Sequence, residues 1–298
     1  MSIPFIKDDE TSGPGIYAAG AGLVRVVANN AGPFTYTGTG TYVLHSGTAC
    51  LVIDPGPHSD THIQTILSVV GKRSIDAILV THTHRDHSPG AALLRQLTGA
   101  PVIGCAPARQ NHGAAVQLDE AQDYDYTPDR VVTAEDTLAF DFVTLKPVAT
   151  PGHLANHLSF HWLEEDALFC GDHVMGWATS VVIPPDGNMG DYMCSLHETL
   201  DMNVKQLWPT HGQPIAQPAP FISALIEHRE QREVGILREI DAGTGAIMDI
   251  VAQLYQDIDP VLHPAAAQSV FAHIIHLMDQ GRVETPERVD IGAFYKPT

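Results

Sequence analysis

The chain of 298 residues has few cysteines, few basic residues and no long apolar run. Its four cysteines form no C-x-x-C pair, which disfavours a disulfide scaffold and indicates reduced, buried thiols in a cytoplasmic protein. No stretch of 18 apolar residues is present, so no membrane span is predicted. The start, "MSIPFIKDDETSG", lacks a basic segment followed by an apolar one, so no secretory signal is predicted. The net charge of −19 disfavours non-specific binding to nucleic acid.

Histidine, by contrast, is abundant, with 17 residues, and several of them follow predicted strands. The segment "VTHTHRDHSPG", residues 80–90, places three histidines and one aspartate directly after the buried strand "IDAILV". Residues i and i+2 of an extended loop project to the same side, so His82 and His84 can bind one metal ion together. Asp86 and His87 follow them. Further candidates stand at the ends of other predicted strands: Asp54, His153, Asp172 and His211. Imidazole and carboxylate suit zinc, with iron and manganese as alternatives.

The order of apolar runs predicts two sheets packed face to face, with helices outside. One series of strands runs from "TYVLHSG" to "PVIGC", and a second from "FVTLKPVATPGH" to "VKQLWPTHG". Between them, 107–135 is predicted to be an irregular insertion over one sheet edge. The first series contains a helix that ends at Gly71 and a helix with Ser88 as its N-cap. We therefore predict one domain over 1–212, which contains all the candidate metal ligands.

The rest of the chain is predicted to be a linker and a second, smaller domain. The tract at 213–220 is rich in proline and lacks periodicity, which is typical of a linker. Residues 221–298 form the predicted C-terminal domain. Within it we expect three amphipathic helices followed by a short β ending, with the helices at 221–240, 246–256 and 264–280.

The motifs "IDPG", "THTHRDH", "TPGH", "GD" and "PTHG", in this order, resemble those of the metallo-β-lactamase superfamily over about residues 20–215. The resemblance implies an α/β fold, an αββα sandwich with a two-metal site in the cleft at one sheet edge. Carried over by motif, the first metal would be held by His82, His84 and His153. The second would be held by Asp86, His87 and His211. Asp172 would bridge both metals. Asp54 would orient the histidine loop, His157 would pack near the site or contact substrate, and His173 would point away or line the cleft.

A two-metal site of this kind indicates hydrolysis. Two cations roughly 3.5–4 Å apart lower the pKa of a shared water towards about 7 and polarise a carbonyl or phosphoryl oxygen. No serine or cysteine nucleophile is then needed. Asp172, as the bridge, and Asp86 are the predicted catalytic carboxylates, and Asp86 is an alternative to metal-bound water as the proton donor. We expect two zinc ions and cleavage of a small ester, thioester or lactone.

A second resemblance covers nearly the whole chain and leaves the substrate open. "GDYMCSLHETL", "HREQREVGIL" and "AAAQSVFAHIIHLMDQGRVE" resemble β-lactamase-like proteins with a C-terminal winged-helix-like domain, some of which are single-strand endoribonucleases. Against RNA, 221–298 holds 6 Lys and Arg against 12 Asp and Glu, whereas a nucleic-acid-binding wing is normally basic. Arg229 and Arg232 are interpreted as a solvated helix face paired with glutamates rather than as a phosphate clamp. An iron-dependent sulfur dioxygenase-like or non-hydrolytic protein is the second alternative.

The expected partner is therefore a small-molecule substrate, without a membrane and with homo-oligomer formation left open. Two further histidines, His58 and His62, are predicted to be solvated residues at a helix start. Five others are placed at surface positions of helices or strands, and most of them are predicted to have no role in the site: His161, His228, His263, His273 and His276.

Overall fold

The computed structural model describes residues 3–7, 13–20, 22–109, 122–256 and 259–298. Its first sheet has seven strands that lie side by side in chain order. They are β1 (Gly15–Gly20), β2 (Leu23–Val27), β3 (Gly40–Ser46), β4 (Ala49–Ile53), β5 (Ser74–Val80), β6 (Val102–Gly104) and β7 (Arg130–Val131). Strands β1 to β4 pair antiparallel, and β4 to β7 pair parallel. Helices α1 (Asp60–Val70) and α2 (Pro89–Thr98) make the crossovers on either side of β5.

The second sheet has five strands in the order β12-β11-β10-β9-β8. They are β8 (Leu138–Phe140), β9 (Val143–Ala149), β10 (Leu158–Trp162), β11 (Ala167–Gly171) and β12 (Gln206–Pro209). Neighbours pair antiparallel except β11 and β12, which are parallel and are joined by helix α3 (Met189–Met202). The two sheets share one apolar core, in which Val43 and Ile78 of the first lie in the same buried cluster as Phe160 and Phe169 of the second. The fold is therefore the predicted sandwich.

The C-terminal part consists of helices α4 (Pro218–Asp241), α5 (Ile247–Leu254) and α6 (His263–Asp279), followed by the antiparallel pair β13 (Val283–Glu284) and β14 (Lys296–Pro297). Helix α4 has 24 residues and is therefore about 36 Å long. Its first half, with Phe221 and Leu225, is buried with Leu207 of β12 and with α3. Its second half, with Ile236 and Ile240, is buried with α5 and α6. One helix thus joins the sandwich to the C-terminal part.

The predicted strands and the three C-terminal helices are confirmed, with several differences in detail. Helix α4 begins at Pro218, inside the predicted linker, because proline is compatible with the first turn of a helix. Strands β1, β2 and β8 and helix α3 were not predicted as elements. In the predicted insertion, 110–121 lies outside the described residues, and the described remainder contributes the edge strand β7. Within the described ranges no helix is both long and apolar enough to cross a membrane.

Two local details differ from what the sequence suggests. Ser88 is the N-cap residue of α2, as predicted, but its hydroxyl makes no capping hydrogen bond and instead donates to Asp123 Oδ2 at 2.6 Å. This bond ties the described end of the insertion to the histidine loop. Three cysteines are buried and unpaired as expected, but the free Cys194 is exposed on α3.

Candidate metal centre

The predicted site residues meet at one rim of the sandwich, where five strands end. Asp54 follows β4, and the histidine loop 81–88 follows β5. From the second sheet, His153 follows β9, Asp172 follows β11 and His211 follows β12. Because β4 and β5 are parallel neighbours, and β11 and β12 are as well, these strands deliver their following residues to the same edge.

Four of these side chains form a first group: His82, His84, His153 and Asp172. Each offers one potential ligand atom, and these four atoms all lie within 4.8 Å of one another. The Nδ1 atom of His84 lies 3.1 Å from His82 Nε2 and 3.0 Å from His153 Nε2. His153 Nε2 lies 3.8 Å from Asp172 Oδ2. Three nitrogens and one oxygen therefore surround one point, as a four-coordinate metal requires.

A second group consists of Asp86, His87 and His211. Asp86 Oδ2 lies 3.2 Å from His87 Nε2 and 3.1 Å from His211 Nε2. The same two nitrogens lie 3.5 Å and 3.4 Å from Asp172 Oδ2. This oxygen of Asp172 is thus close to both groups, the place that a bridging carboxylate would take.

The opposite ring nitrogen of four histidines faces an oxygen, which sets the tautomer of each ring. His87 Nδ1 donates to Asp54 Oδ2 at 3.1 Å, and His211 Nδ1 donates to the Gly38 carbonyl at 3.3 Å. His153 Nδ1 donates to the Val181 carbonyl at 2.5 Å. His82 Nδ1 donates to Thr81 Oγ1 at 3.0 Å, because that hydroxyl itself donates to Asp54. In each ring Nε2 is left with a lone pair directed at the centre, as in metal-binding histidines.

The polar atoms in this centre fit a metal. Four of them are buried and make no hydrogen bond within the described part of the chain: Asp86 Oδ1, Asp172 Oδ1, His87 Nε2 and His211 Nε2. Buried polar atoms are normally satisfied, so a concentration of lone-pair donors at one point fits the binding of a cation. The imidazole and carboxylate donors suit zinc, iron or manganese and do not choose among them.

The electrostatics agree with this interpretation. Burial lowers the pKa of His84 to about 3, which keeps the ring neutral and able to act as a ligand. Burial alone would also lower the pKa of His211, but Asp172 and Asp86 outweigh it and raise that pKa to about 10. The same carboxylates raise the pKa of His87 well above its usual range. Two buried carboxylates thus face these two rings, so this side of the centre favours a positive charge.

The three residues predicted to support the ligands lie around this centre. Asp54 accepts hydrogen bonds from Thr81 and from His87. His157 accepts from the backbone N–H of Asp172 at 3.2 Å and donates to Thr150 Oγ1 at 2.8 Å, so this buried ring anchors that backbone.

His173 points to the opposite side of the backbone. Its Nε2 donates to Thr199 Oγ1 at 2.9 Å, because that hydroxyl donates to the Ser195 carbonyl. The alternative placement of His173 in the cleft is therefore wrong, and the ring packs between β11 and α3 instead.

Two other histidine predictions are wrong. His62 is only 5% exposed, and its Nε2 donates to Thr41 Oγ1 at 2.9 Å, so it is a buried structural residue and not a solvated one. His273 is fully buried on α6 and its Nδ1 lies 3.2 Å from Glu233 Oε1. His58 is exposed, as expected.

Sequence reasoning missed several residues that make hydrogen bonds to the candidate ligands or to the backbone beside them. Thr39 donates to Asp86 Oδ2 at 2.8 Å. Arg25, only 2% exposed, donates to the carbonyl of Thr210, the residue before His211, at 3.2 Å. A charged residue inside the apolar strand "LVRVV" is a signal that could have identified Arg25. No signal identifies the Val181 and Gly38 carbonyls, because every residue carries one.

Two clefts open beside the centre. One, of about 380 Å³, is lined by residues 30–35 together with Pro57, Arg85 and Asp86. The other, of about 430 Å³, is lined by residues that include Arg109, Asn156 and Pro185. Both volumes fall within the range typical of small-molecule sites.

Comparisons with known proteins agree with the fold and the centre. The chain matches the metallo-beta-lactamase superfamily over residues 37–209 and the beta-lactamase associated winged helix domain over residues 246–289. The chain therefore belongs to the metallo-β-lactamase superfamily and carries the winged-helix domain associated with it, as the motifs predicted.

Among its relatives is a beta-lactamase-like protein 2 homolog of Caenorhabditis elegans, 32% identical over 271 residues, which are 89% of this chain and 86% of that protein. An atrochrysone carboxyl ACP thioesterase of a Cryptosporiopsis species is 28% identical over 246 residues, 80% of this chain and 67% of that protein. The crystal structure of a beta-lactamase domain protein from Burkholderia ambifaria matches with a TM-score of 0.80 at 19% identity, over 97% of this chain and 96% of that chain. This last likeness shows the shared fold.

Proposed function

We propose that this protein is a dinuclear-metal hydrolase, with zinc in both positions, that cleaves a small thioester, ester or lactone. The observation that carries the proposal is the position of Asp172 Oδ2. It lies 3.8 Å from His153 Nε2 of the first group and 3.4 Å from His211 Nε2 of the second. A carboxylate shared in this way lets two ions act on one substrate bond.

The bound ions would supply an activated water and polarise the carbonyl of the substrate. The remaining work falls to the chain's own residues. Asp172 sets the spacing of the two positions, and His157 holds its backbone in place. Asp54 keeps the proton of His87 on Nδ1. Asp86, whose Oδ1 is buried without a hydrogen bond among the described residues, is proposed as the proton donor to the leaving group, as an alternative to a metal-bound water.

Three observations support an acyl substrate over RNA. The flanking clefts have the size of small-molecule sites. A relative that aligns over 80% of this chain is named as a thioesterase. The chain has a net charge of −19, which opposes the approach of a polyanion, although salt screens exposed charges beyond roughly 8 Å.

We also propose that the chain divides into two domains at the predicted linker, 213–220. A cytoplasmic location is proposed because the four cysteines are unpaired.

Metal analysis together with a substrate panel tests this proposal. The purified chain should hold two zinc ions, and it should turn over at least one member of a panel of thioesters, lactones and aryl esters. Chelation should abolish the activity, and added zinc should restore it. A single bound iron would instead favour the sulfur dioxygenase alternative. Cleavage of single-stranded RNA that falls steeply with salt and is lost in Asp172→Asn, without acyl turnover, would favour the nuclease.

A further inference from the structure

Arg229 of α4 reaches from the C-terminal helices into the loop between β11 and α3. Its side chain is only 4% exposed, so the prediction of a solvated helix face is wrong for this residue. Its Nη2 donates to the Ser180 carbonyl at 2.6 Å, and its Nη1 donates to Ser269 Oγ at 3.4 Å. The guanidinium carbon lies 5.5 Å from the centre of the Tyr192 ring. A charged donor makes the short bond to Ser180 a strong one.

The next carbonyl along the chain orients a residue of the metal centre. Val181 accepts the hydrogen bond from His153 Nδ1, so Arg229 and His153 bind the carbonyls of two consecutive residues. The Ser180 hydroxyl donates to the His173 carbonyl at 2.9 Å, directly after Asp172. Residues 180 and 181 therefore connect α4 to the ring of His153 and to the backbone that directly follows Asp172.

The segment that carries these two carbonyls belongs to no helix or strand, so its position depends on such bonds. If the Ser180–Val181 peptide moves, the Val181 carbonyl moves with it and His153 loses the acceptor that directs its Nε2 towards His84. His82 and His84 stand on the loop after β5, where Thr81 Oγ1 accepts from the His82 ring and the His84 carbonyl accepts from the backbone N–H groups of His87 and Ser88. The second group has its own supports, Asp54 for His87 and Gly38 for His211.

We propose that Arg229 is a positioning residue for the first metal group. It fixes the Ser180–Val181 peptide and thereby the ring of His153, so that a helix of the C-terminal part controls metal affinity at the rim of the sandwich. This inference rests on the proposed function, since it concerns the ion that the first group would bind.

Arg232 offers a matched control on the same helix. Its Nη1 donates to the Leu254 carbonyl at 3.2 Å, and its guanidinium carbon lies 4.1 Å from the centre of the Tyr255 ring. Arg229→Met and Arg232→Met therefore each remove a guanidinium–carbonyl bond and a cation–π contact. Of the two arginines, Arg229 is the one that contacts residues 180–181, which accept the hydrogen bond from His153.

Zinc affinity is best measured one group at a time, in the full chain. In a His211→Ala background the second group is broken, and competition with a chromophoric chelator reports the affinity of the first. In a His153→Ala background the same titration reports the second. We expect Arg229→Met to weaken zinc binding about tenfold in the first background, the lower end of the effect of losing an outer hydrogen-bond partner of a ligand. It should leave the second background unchanged, and Arg232→Met should leave both unchanged.

Thermal unfolding and circular dichroism of the metal-free variants establish that they fold. If Arg229→Met does not fold, Arg229→Lys takes its place in the zinc titrations, and its affinity is compared with that of the chain that keeps Arg229. Lysine keeps the stem and the charge but donates from a single ammonium group. The first-group affinity of Arg229→Lys should fall between those of the wild type and of Arg229→Met where both can be measured. Equal zinc affinity with and without Arg229, or an equal loss in Arg232→Met, would overturn the inference alone. A wild-type chain that binds no zinc would overturn the proposed function as well.

Discussion

Replacing Asp54 with asparagine should weaken the second metal group by changing the tautomer of a ligand. Asp54 Oδ1 accepts from the Thr81 backbone N–H at 2.8 Å. Its Oδ2 faces three donors, namely the Thr81 hydroxyl at 2.8 Å, His87 Nδ1 at 3.1 Å and the Thr210 hydroxyl at 3.2 Å. In Asp54→Asn the amide oxygen must occupy the Oδ1 position, because only an oxygen can accept from the Thr81 backbone N–H. The NH₂ group therefore takes the place of Oδ2.

The two hydroxyls can rotate and accept from that NH₂ group, but a ring nitrogen that carries a proton cannot. His87 must therefore lose its partner or move its proton to Nε2, the atom that faces Asp86 and Asp172. Loss of such an outer partner typically costs 10–100-fold in metal affinity, about 1.4–2.8 kcal/mol. We expect a loss in this range for the second group.

The measurement is zinc affinity by chelator competition in the His153→Ala background, together with ¹⁵N NMR of the histidine rings to identify the protonated nitrogen of His87. Thr210→Val is the control, because it removes one bond to the same carboxylate oxygen and leaves the His87 bond intact. Unchanged zinc affinity with the proton of His87 still on Nδ1 would refute the reasoning. An equal loss in Thr210→Val would show that packing, and not the tautomer, is responsible.

Three further predictions concern catalysis, acid stability and folding. Asp172→Asn should lower kcat by more than the roughly 10–100-fold expected for loss of a hydrogen-bond partner of a ligand, whereas His173→Ala should lower kcat less. Equal losses of kcat in a steady-state assay would contradict the assignment of Asp172 as the bridging carboxylate. Burial lowers the pKa of His62 from its usual 6.5 to about 4, so below pH 6.5 the unfolded chain binds a proton that the folded chain does not. The free energy of unfolding should therefore fall by about 2 kcal/mol from this residue between pH 7 and pH 5, and denaturant titrations should show a drop smaller by that amount in His62→Gln. A chain that ends at residue 217 should aggregate because it uncovers Leu207 and its neighbours, whereas one that ends at 245 keeps α4 and should stay more soluble in sedimentation assays; equal solubility would contradict this role of α4.

The seven candidate ligands could be named from the sequence because their signal is local and chemical. "HTHRDH" puts four of them in one short loop, and the others follow strands whose apolar runs are easily identified. The central strands were predictable for the same reason, since a buried run such as "IDAILV" has few alternatives to a central strand. Residue type and spacing were enough in these places.

Elsewhere the sequence was a poor guide. A histidine near a helix start, such as His62, is solvated or buried depending on what packs above it. Arg229 and Arg232 have the same residue type on the same helix, yet one donates to the Ser180 carbonyl before α3 and the other to the Leu254 carbonyl of α5. These outcomes depend on elements distant in the chain.

The sequence by itself determined which residues can bind metal and on which strands they stand, because imidazole and carboxylate are rare, specific groups at readable spacings. Only the tertiary structure decided which nitrogen of each ring faces the centre. Those tautomers depend on acceptors such as the carbonyls of Gly38 and Val181, which lie 173 and 28 residues away from the rings that they orient. A backbone carbonyl is identical in every residue, so its role becomes visible only when the chain has brought it against a ligand.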